Sequence, residues 1–156
     1  MNINIITIGK LKEDYWKEAE KEYLKRLQAF CNLKIIEIKE EKFTEKDNFE
    51  NIKNKEGKKI LKKIPENSFV ILLDKEGKKF TSKKIGEQLT NFENESKNNI
   101  SFIIGGPLGF SKEILNKHNE KWSFSNLTFT HQMIRIFLLE QIYRGFMIKE
   151  NRKYHY

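Results

Sequence analysis

The 156-residue chain contains one cysteine, two prolines and eight glycines. A lone cysteine, Cys31, excludes an intrachain disulfide and fits a reducing compartment, the cytoplasm. Its neighbours in "AFCNL" place the thiol in or beside the core, and no base stands near it in sequence to make it a nucleophile. No stretch of about 18 apolar residues occurs, so a membrane-spanning helix is not expected. The start "MNINIITIGKLKEDYW" passes from a strand pattern into charged residues and lacks the basic-then-apolar layout of a signal peptide. No repeat, low-complexity segment or linker is present, which points to a single domain over residues 1–156. No His, Cys and Asp group has the spacing of metal ligands, so no metal is expected.

The hydrophobic fraction is 38% and the charged fraction 33%, values of a globular chain with a wet surface. The net charge of +8 points to an anionic partner, nucleic acid first. Residues 1–66 carry 16 basic and 13 acidic side chains, whereas residues 101–156 carry 8 and 4. The excess is densest near the C-terminus, which nominates Arg135, Arg144, Lys149, Arg152 and Lys153 for phosphate contact.

The hydrophobic pattern alternates between two periods. "INIITI" (3–8), "LKIIEI" (33–38), "SFVILLD" (68–74) and "ISFIIG" (100–105) read as strands, the last two as strands buried on both faces. Helical spacing appears in residues 11–30, 47–64 and 82–93. "SKEILNKH" gives a short helix capped by Ser111. "WSFSNLTFT" (122–130) alternates and predicts a strand with a break at Asn126, and "KEGKKF" predicts a turn. The last long helix begins at His131, with Ile134, Phe137, Leu138, Ile142 and Phe146 on one face. Leu139 and Met147 fall outside that stripe, which suggests an apolar surface wide enough to serve a dimer interface. Strands alternating with helices define an α/β fold with a largely parallel sheet, whose ligands bind at the carboxyl ends of the strands. "LLDKEG", "IGGPLG" and "FSNLTFTH" then converge at one end.

Three of the eight glycines and one of the two prolines sit in "GGPLG". The stretch is neither G-x-G-x-x-G nor the P-loop pattern, and Pro107 removes an N–H that a phosphate nest would need. Gly105 and Gly106 do permit a flat ligand to approach the backbone, as a purine read by main-chain groups requires. A tight turn needing positive φ accounts for the same residues, and from the loop alone that turn is the favoured reading.

Taken together, "IGGPLGF", "SFSNLTFTHQMIRIFLLEQIYRGF", the start "INIITIGKLKEDYWKEAEKEYLKRL" and the tail "KYHY" resemble the RlmH family. These are small SPOUT-superfamily methyltransferases of large-subunit ribosomal RNA. The resemblance spans Ile3 to His155. It implies a homodimer, a C-terminal trefoil knot and S-adenosylmethionine as cofactor. It further implies methylation of N3 of a pseudouridine in helix 69 of 23S ribosomal RNA, on assembled ribosomes. Carried over by motif, the cofactor-binding residues are Leu73, Gly105, Phe124, Ser125, Asn126, Leu127, Thr128 and Phe129.

The N3–H of the base is protonated at neutral pH, so a group must accept its proton or stabilise the anion. The resemblance nominates His155 and Tyr154, in a tail laid over the partner subunit's site, and Arg144. An Arg144–Glu140 ion pair one helical turn apart is the competing role for the arginine. His131 reads as structural or supporting, His118 as solvated, and Met133 and Met147 as core filler. Thr130 and Lys153 replace prolines of the family pattern, and Tyr156 replaces a terminal basic residue; the first is mild, because Thr can still start a helix, whereas the other two loosen the tail and remove a terminal charge. A SPOUT enzyme with another RNA target, or a non-catalytic RNA-binding module, are the competing functions.

Overall fold

The computed structural model describes residues 1–154; His155 and Tyr156, and with them the proposed proton acceptor, lie outside the described residues. The chain forms β1 (Asn2–Ile8), α1 (Asp14–Leu27), β2 (Asn32–Ile38), α2 (Phe49–Leu61), β3 (Phe69–Lys79), α3 (Ser82–Asn94), β4 (Asn99–Ile104), α4 (Lys112–Lys117), β5 (Glu120–Ser123) and α5 (His131–Lys149). The five strands make one parallel sheet in the order β2-β1-β4-β3-β5.

The two-residue period of a strand divides the apolar residues between two cores. Ile3 and Ile5 of β1, Ile71 of β3, and Ile100 and Phe102 of β4 join the core built with Leu27 of α1, Leu89 and Phe92 of α3, and Leu138, Ile142 and Phe146 of α5. Ile6, Ile8, Val70, Leu72 and Ile103 point the other way and meet Ile60 of α2 and Ile114 of α4. Covering both faces with helices is why β3 and β4 read as unbroken apolar runs. The helix starts follow local chemistry: Thr81, Ser111 and Thr130 each accept a hydrogen bond from an amide in the first turn that follows. Thr130 therefore replaces the family's proline without loss of the helix start.

Three sequence expectations are corrected. "KEGKK" is not a turn that ends a strand, because β3 continues to Lys79, pairing with β5 in a register that shifts between Leu73 and Lys78. A Cβ on Gly77 would lie 2.6 Å from the Trp122 carbonyl carbon, so the two backbones meet there only through glycine. Residues 124–130 are loop rather than strand, since pairing with β3 ends at Ser123. Finally, Leu139 is fully buried and Met147 nearly so within the chain itself, wedged by the packing of α5 on α1 and α3. They supply no surface for a dimer. Among the described residues, the large apolar side chains left exposed are Tyr15, Phe49, Leu127 and Phe137.

Candidate functional site

At the carboxyl ends of β3, β4 and β5 lies a cavity of about 770 Å³, bounded by the three loops that strand order brings together. β3 contributes Leu73, Asp74 and Lys75; the glycine loop contributes residues 104–110; β5 and its loop contribute Trp122 to Ser125 and Leu127 to Thr130; the start of α5 closes it with His131, Gln132 and Ile134. Seven of the eight residues nominated for cofactor binding line this space. Asn126 does not: its side-chain oxygen accepts a hydrogen bond from Lys79 and anchors the loop to β3.

The loop after β5 is shaped locally. Ser123 Oγ donates to the Ser125 carbonyl at 3.0 Å, and Leu127 N–H donates to Ser125 Oγ at 3.0 Å. Phe129 packs edge-on against Phe137 of α5, ring centroids 5.2 Å apart. Leu127 at the tip is 70% exposed. Trp122 is buried, its ring set against Phe80 and Phe102. Apart from His131, the titratable side chains of the lining are Asp74 and Lys75. A space walled by backbone, rings and few charges suits a flat, largely apolar ligand rather than a polyphosphate.

The glycine loop has a structural reason for each glycine. A Cβ on Gly105 would come within 3.0 Å of the Phe110 ring, and one on Gly106 within 2.9 Å of the Glu56 carboxylate. Gly109 takes φ +80° and turns the chain into α4. Phe110 and Glu56 were not singled out from sequence. Phe110 follows the glycines directly, which was a usable signal; Glu56 sits among lysines and looks like a surface residue. Replacement of Gly105 by valine is expected to push Phe110 aside and, if the cavity takes the S-adenosylmethionine that the family resemblance implies, to weaken its binding by roughly tenfold or more, equivalent to about 1.4 kcal/mol, with the fold retained. Calorimetric titration checks it, and unchanged affinity would leave Gly105 a packing residue alone.

Glu56 is buried in α2, where Oε1 accepts the Glu41 N–H at 3.0 Å. Burial pushes its carboxyl above the usual carboxylate range, beyond what that hydrogen bond restores. Burial disfavours the ionised form, so stability is lost as pH rises through the folded-state pKa and is fully present below the unfolded one. Glu56→Gln keeps an acceptor for Glu41. It is expected to melt at or above the wild-type temperature at pH 7, with the difference closing below about pH 4. A clear destabilisation at pH 7 would count against this.

The other nominated groups lie elsewhere. Arg144 bonds Glu140 at 2.7 Å and sits 4.9 Å from the Tyr154 ring centroid; that ring packs edge-on against Tyr143. This cluster is at the far end of α5, thirteen residues or about 20 Å from His131. Arg135 is 2% exposed and held between Glu20 and Glu37; Lys149 bonds Glu93 at 2.6 Å. Neither fits the phosphate-contact role. Arg152 and Lys153 are exposed. His131 Nε2 is buried against Gly9 without a hydrogen-bond partner among the described residues. His118 is half-buried and bonds the Leu115 carbonyl rather than being fully solvated. Burial lifts the Cys31 thiol to about 11, which leaves it a poor nucleophile. No group of three metal-capable side chains occurs, and no helix is long and apolar enough to cross a membrane, among the described residues.

The open parallel sheet and its loop-walled cavity belong to a methyltransferase class: the family model described as "Predicted SPOUT methyltransferase" matches residues 1–155, and the chain belongs to that family. Within it, the chain groups with the RlmH proteins. It is 49% identical to the ribosomal RNA large subunit methyltransferase H of Clostridium novyi and 46% identical to that of Clostridium acetobutylicum, each over 99% of both chains. The protein of that name from Halothermothrix orenii is 44% identical over the same share. The solved structure of a probable methylase family protein from Haemophilus influenzae shares the fold, with a TM-score of 0.55 at 14% identity over 99% of this chain and 70% of the other.

Proposed function

We propose that the protein is a homodimeric, S-adenosylmethionine-dependent enzyme that methylates N3 of a pseudouridine in helix 69 of 23S ribosomal RNA. It acts in the cytoplasm on assembled ribosomes, as one knotted SPOUT domain over residues 1–156. The observation that carries this reading is the cavity itself, in which three loops distant in sequence present backbone and rings around a space sized for an adenosine and its methionine arm. Its relatives' names supply the ribosomal RNA substrate.

When bound, S-adenosylmethionine supplies an electrophilic methyl group. Leu73, Gly105 and the loop of Phe124, Ser125, Leu127, Thr128 and Phe129 hold it, with Asn126 fixing that loop through Lys79. The chain must then align N3 and take its proton. Arg144 and Tyr154 stand about 20 Å from the cavity along α5. A second copy brings them, with His155, over the first copy's cavity. There His155 accepts the proton directly or through water, Tyr154 orients it, and Arg144 holds a carbonyl of the base. Exposed Leu127, and Phe137 packed on Phe129, provide the apolar lip that the second copy covers.

Ribosomes lacking the modification, incubated with enzyme and S-adenosylmethionine, test the reading by mass spectrometry of the helix 69 fragment. A gain of one methyl on the pseudouridine is expected, with a dimer by light scattering at micromolar concentration. A methyl elsewhere in the RNA would transfer the reading to another target, and a monomer would remove the shared site.

A further inference from the structure

Beyond α5 no helix or strand follows among the described residues. A segment of that kind stays ordered only where contacts tie it down. Here the ties are aromatic rings and guanidiniums. The Arg152 N–H donates to the Met147 carbonyl at 2.9 Å and the Tyr154 N–H to the Arg152 carbonyl at 3.0 Å, so the chain folds back as it leaves α5. Arg152 then lies over the Phe30 ring, 5.3 Å from its centre, just past the end of α1. Tyr154 meets Tyr143 and Arg144 of α5. From α1, the Arg26 guanidinium lies 5.7 Å from the Tyr23 ring centre and 5.6 Å from that of Tyr143. Tyr23 is near enough to Tyr154 that, after burial, Tyr154 is the next cause pushing its phenol up to about 12. Tyr23 therefore stays protonated at neutral pH.

Fastening α5 to α1 does not require this cluster. Leu27, Leu138 and Phe146 are buried together, and Arg135 joins α5 to Glu20 and Glu37. The cluster instead lies at the surface: Tyr23, Tyr143 and Tyr154 are half-buried, and Arg26 is exposed. Glu22 bonds Arg26 at 2.7 Å one helical turn away, which accounts for its charge but not for its place over two rings.

We infer that the end of α1 is a cradle that holds the tail in its working direction, with Tyr23 and Arg26 as positioning residues for Tyr154. The inference rests on the role proposed above for the tail. Tyr154 orients His155 over the other copy's cavity, and a small misplacement there is costly in rate. Tyr143 and Arg144 fix the ring from α5; Tyr23 faces it from α1, and Arg26 holds Tyr23 and Tyr143 together.

The test compares the wild type with a double variant, Tyr23→Phe with Arg26→Gln, which removes the hydroxyl and the cation but keeps the ring. Hydrogen exchange read by mass spectrometry reports the order of residues 150–154. Single-turnover methyl transfer to ribosomes lacking the modification, at saturating S-adenosylmethionine, reports the chemistry. In the double variant the tail amides should exchange roughly threefold to tenfold faster, and transfer should slow by a similar factor. The KM for ribosomes and the S-adenosylmethionine affinity should not move. Arg26→Lys, which keeps a cation over the rings, should retain at least about half of the rate. Unchanged exchange would overturn the cradle whatever the rate did, and so would faster exchange with an unchanged rate. A raised KM at an unchanged rate would make Arg26 an RNA contact and also overturn it. If the wild type transferred no methyl to ribosomes, the enzymatic reading would fail instead, and the exchange measurement would still judge the cradle.

Discussion

Removing Tyr154, His155 and Tyr156 is expected to leave S-adenosylmethionine affinity nearly unchanged and to lower single-turnover methyl transfer by about a hundredfold or more. General-base loss alone accounts for that factor. The affinity is preserved because Leu73, Gly105 and residues 124–129 surround the cavity without help from the tail. The rate falls because Tyr154 is packed against Tyr143 and Arg144 at the far end of α5, where it serves no chemistry in its own protomer's cavity. Truncation also uncovers Arg144, which keeps its Glu140 partner. RNA binding should weaken little, since Arg152 and Lys153 remain and are exposed. The decisive comparison uses intact ribosomes at saturating cofactor. Equal rates would place the proton transfer on the cavity's own groups, His131 first.

Arg135→Ala is expected to cost about 3 kcal/mol of stability and to lower the melting temperature by roughly 6–12 °C. Arg135 bridges α5 to Glu20 of α1 and Glu37 of β2, with Nη1 2.7 Å from Glu37. Its removal leaves the half-buried Glu20 carboxylate, whose Oε2 is enclosed, without a cation, and burial already outweighs the arginine in pushing that carboxyl upward. Glu37 is part-exposed and keeps some water, which sets the figure at the lower end of the range for buried pairs. The deficit should shrink at acid pH, where the abandoned carboxylates take up protons. Thermal melts at pH 7 and pH 4 check both parts. An unchanged melting temperature would mean that Glu20 finds water when the arginine is gone.

How far the sequence was legible depended on distance. The strands of the sheet centre and the caps at Ser111 and Thr130 rest on neighbours within a few residues, and they were readable. The continuation of β3 through "KEGKK" was not, because nothing local announces that β5 lies alongside. "FSNLTFT" has a strand's period, yet six of its seven residues line the cavity and none pairs with a neighbouring strand. Leu139 and Met147 looked spare because a helical stripe shows one buried face, and α5 is covered by the sheet, α1 and α3 together. Arg135 looked free because its partners Glu20 and Glu37 lie about a hundred residues earlier. The three loops of the site were brought together by strand order. Identifying what they hold, and which residues of the tail act, required the family resemblance.

The parallel pairing of β1 with β4 joins Asn2 to Asn99. At 5–20 residues per second, about 5 to 20 s of synthesis separate the two strands. During that interval β1 has β2 on one edge and nothing on the other. The larger core waits longer still, for Leu138, Ile142 and Phe146 of the last helix. Folding of the nascent chain is therefore completed from its end, and a truncation within α5 would strand the first strand as much as the last.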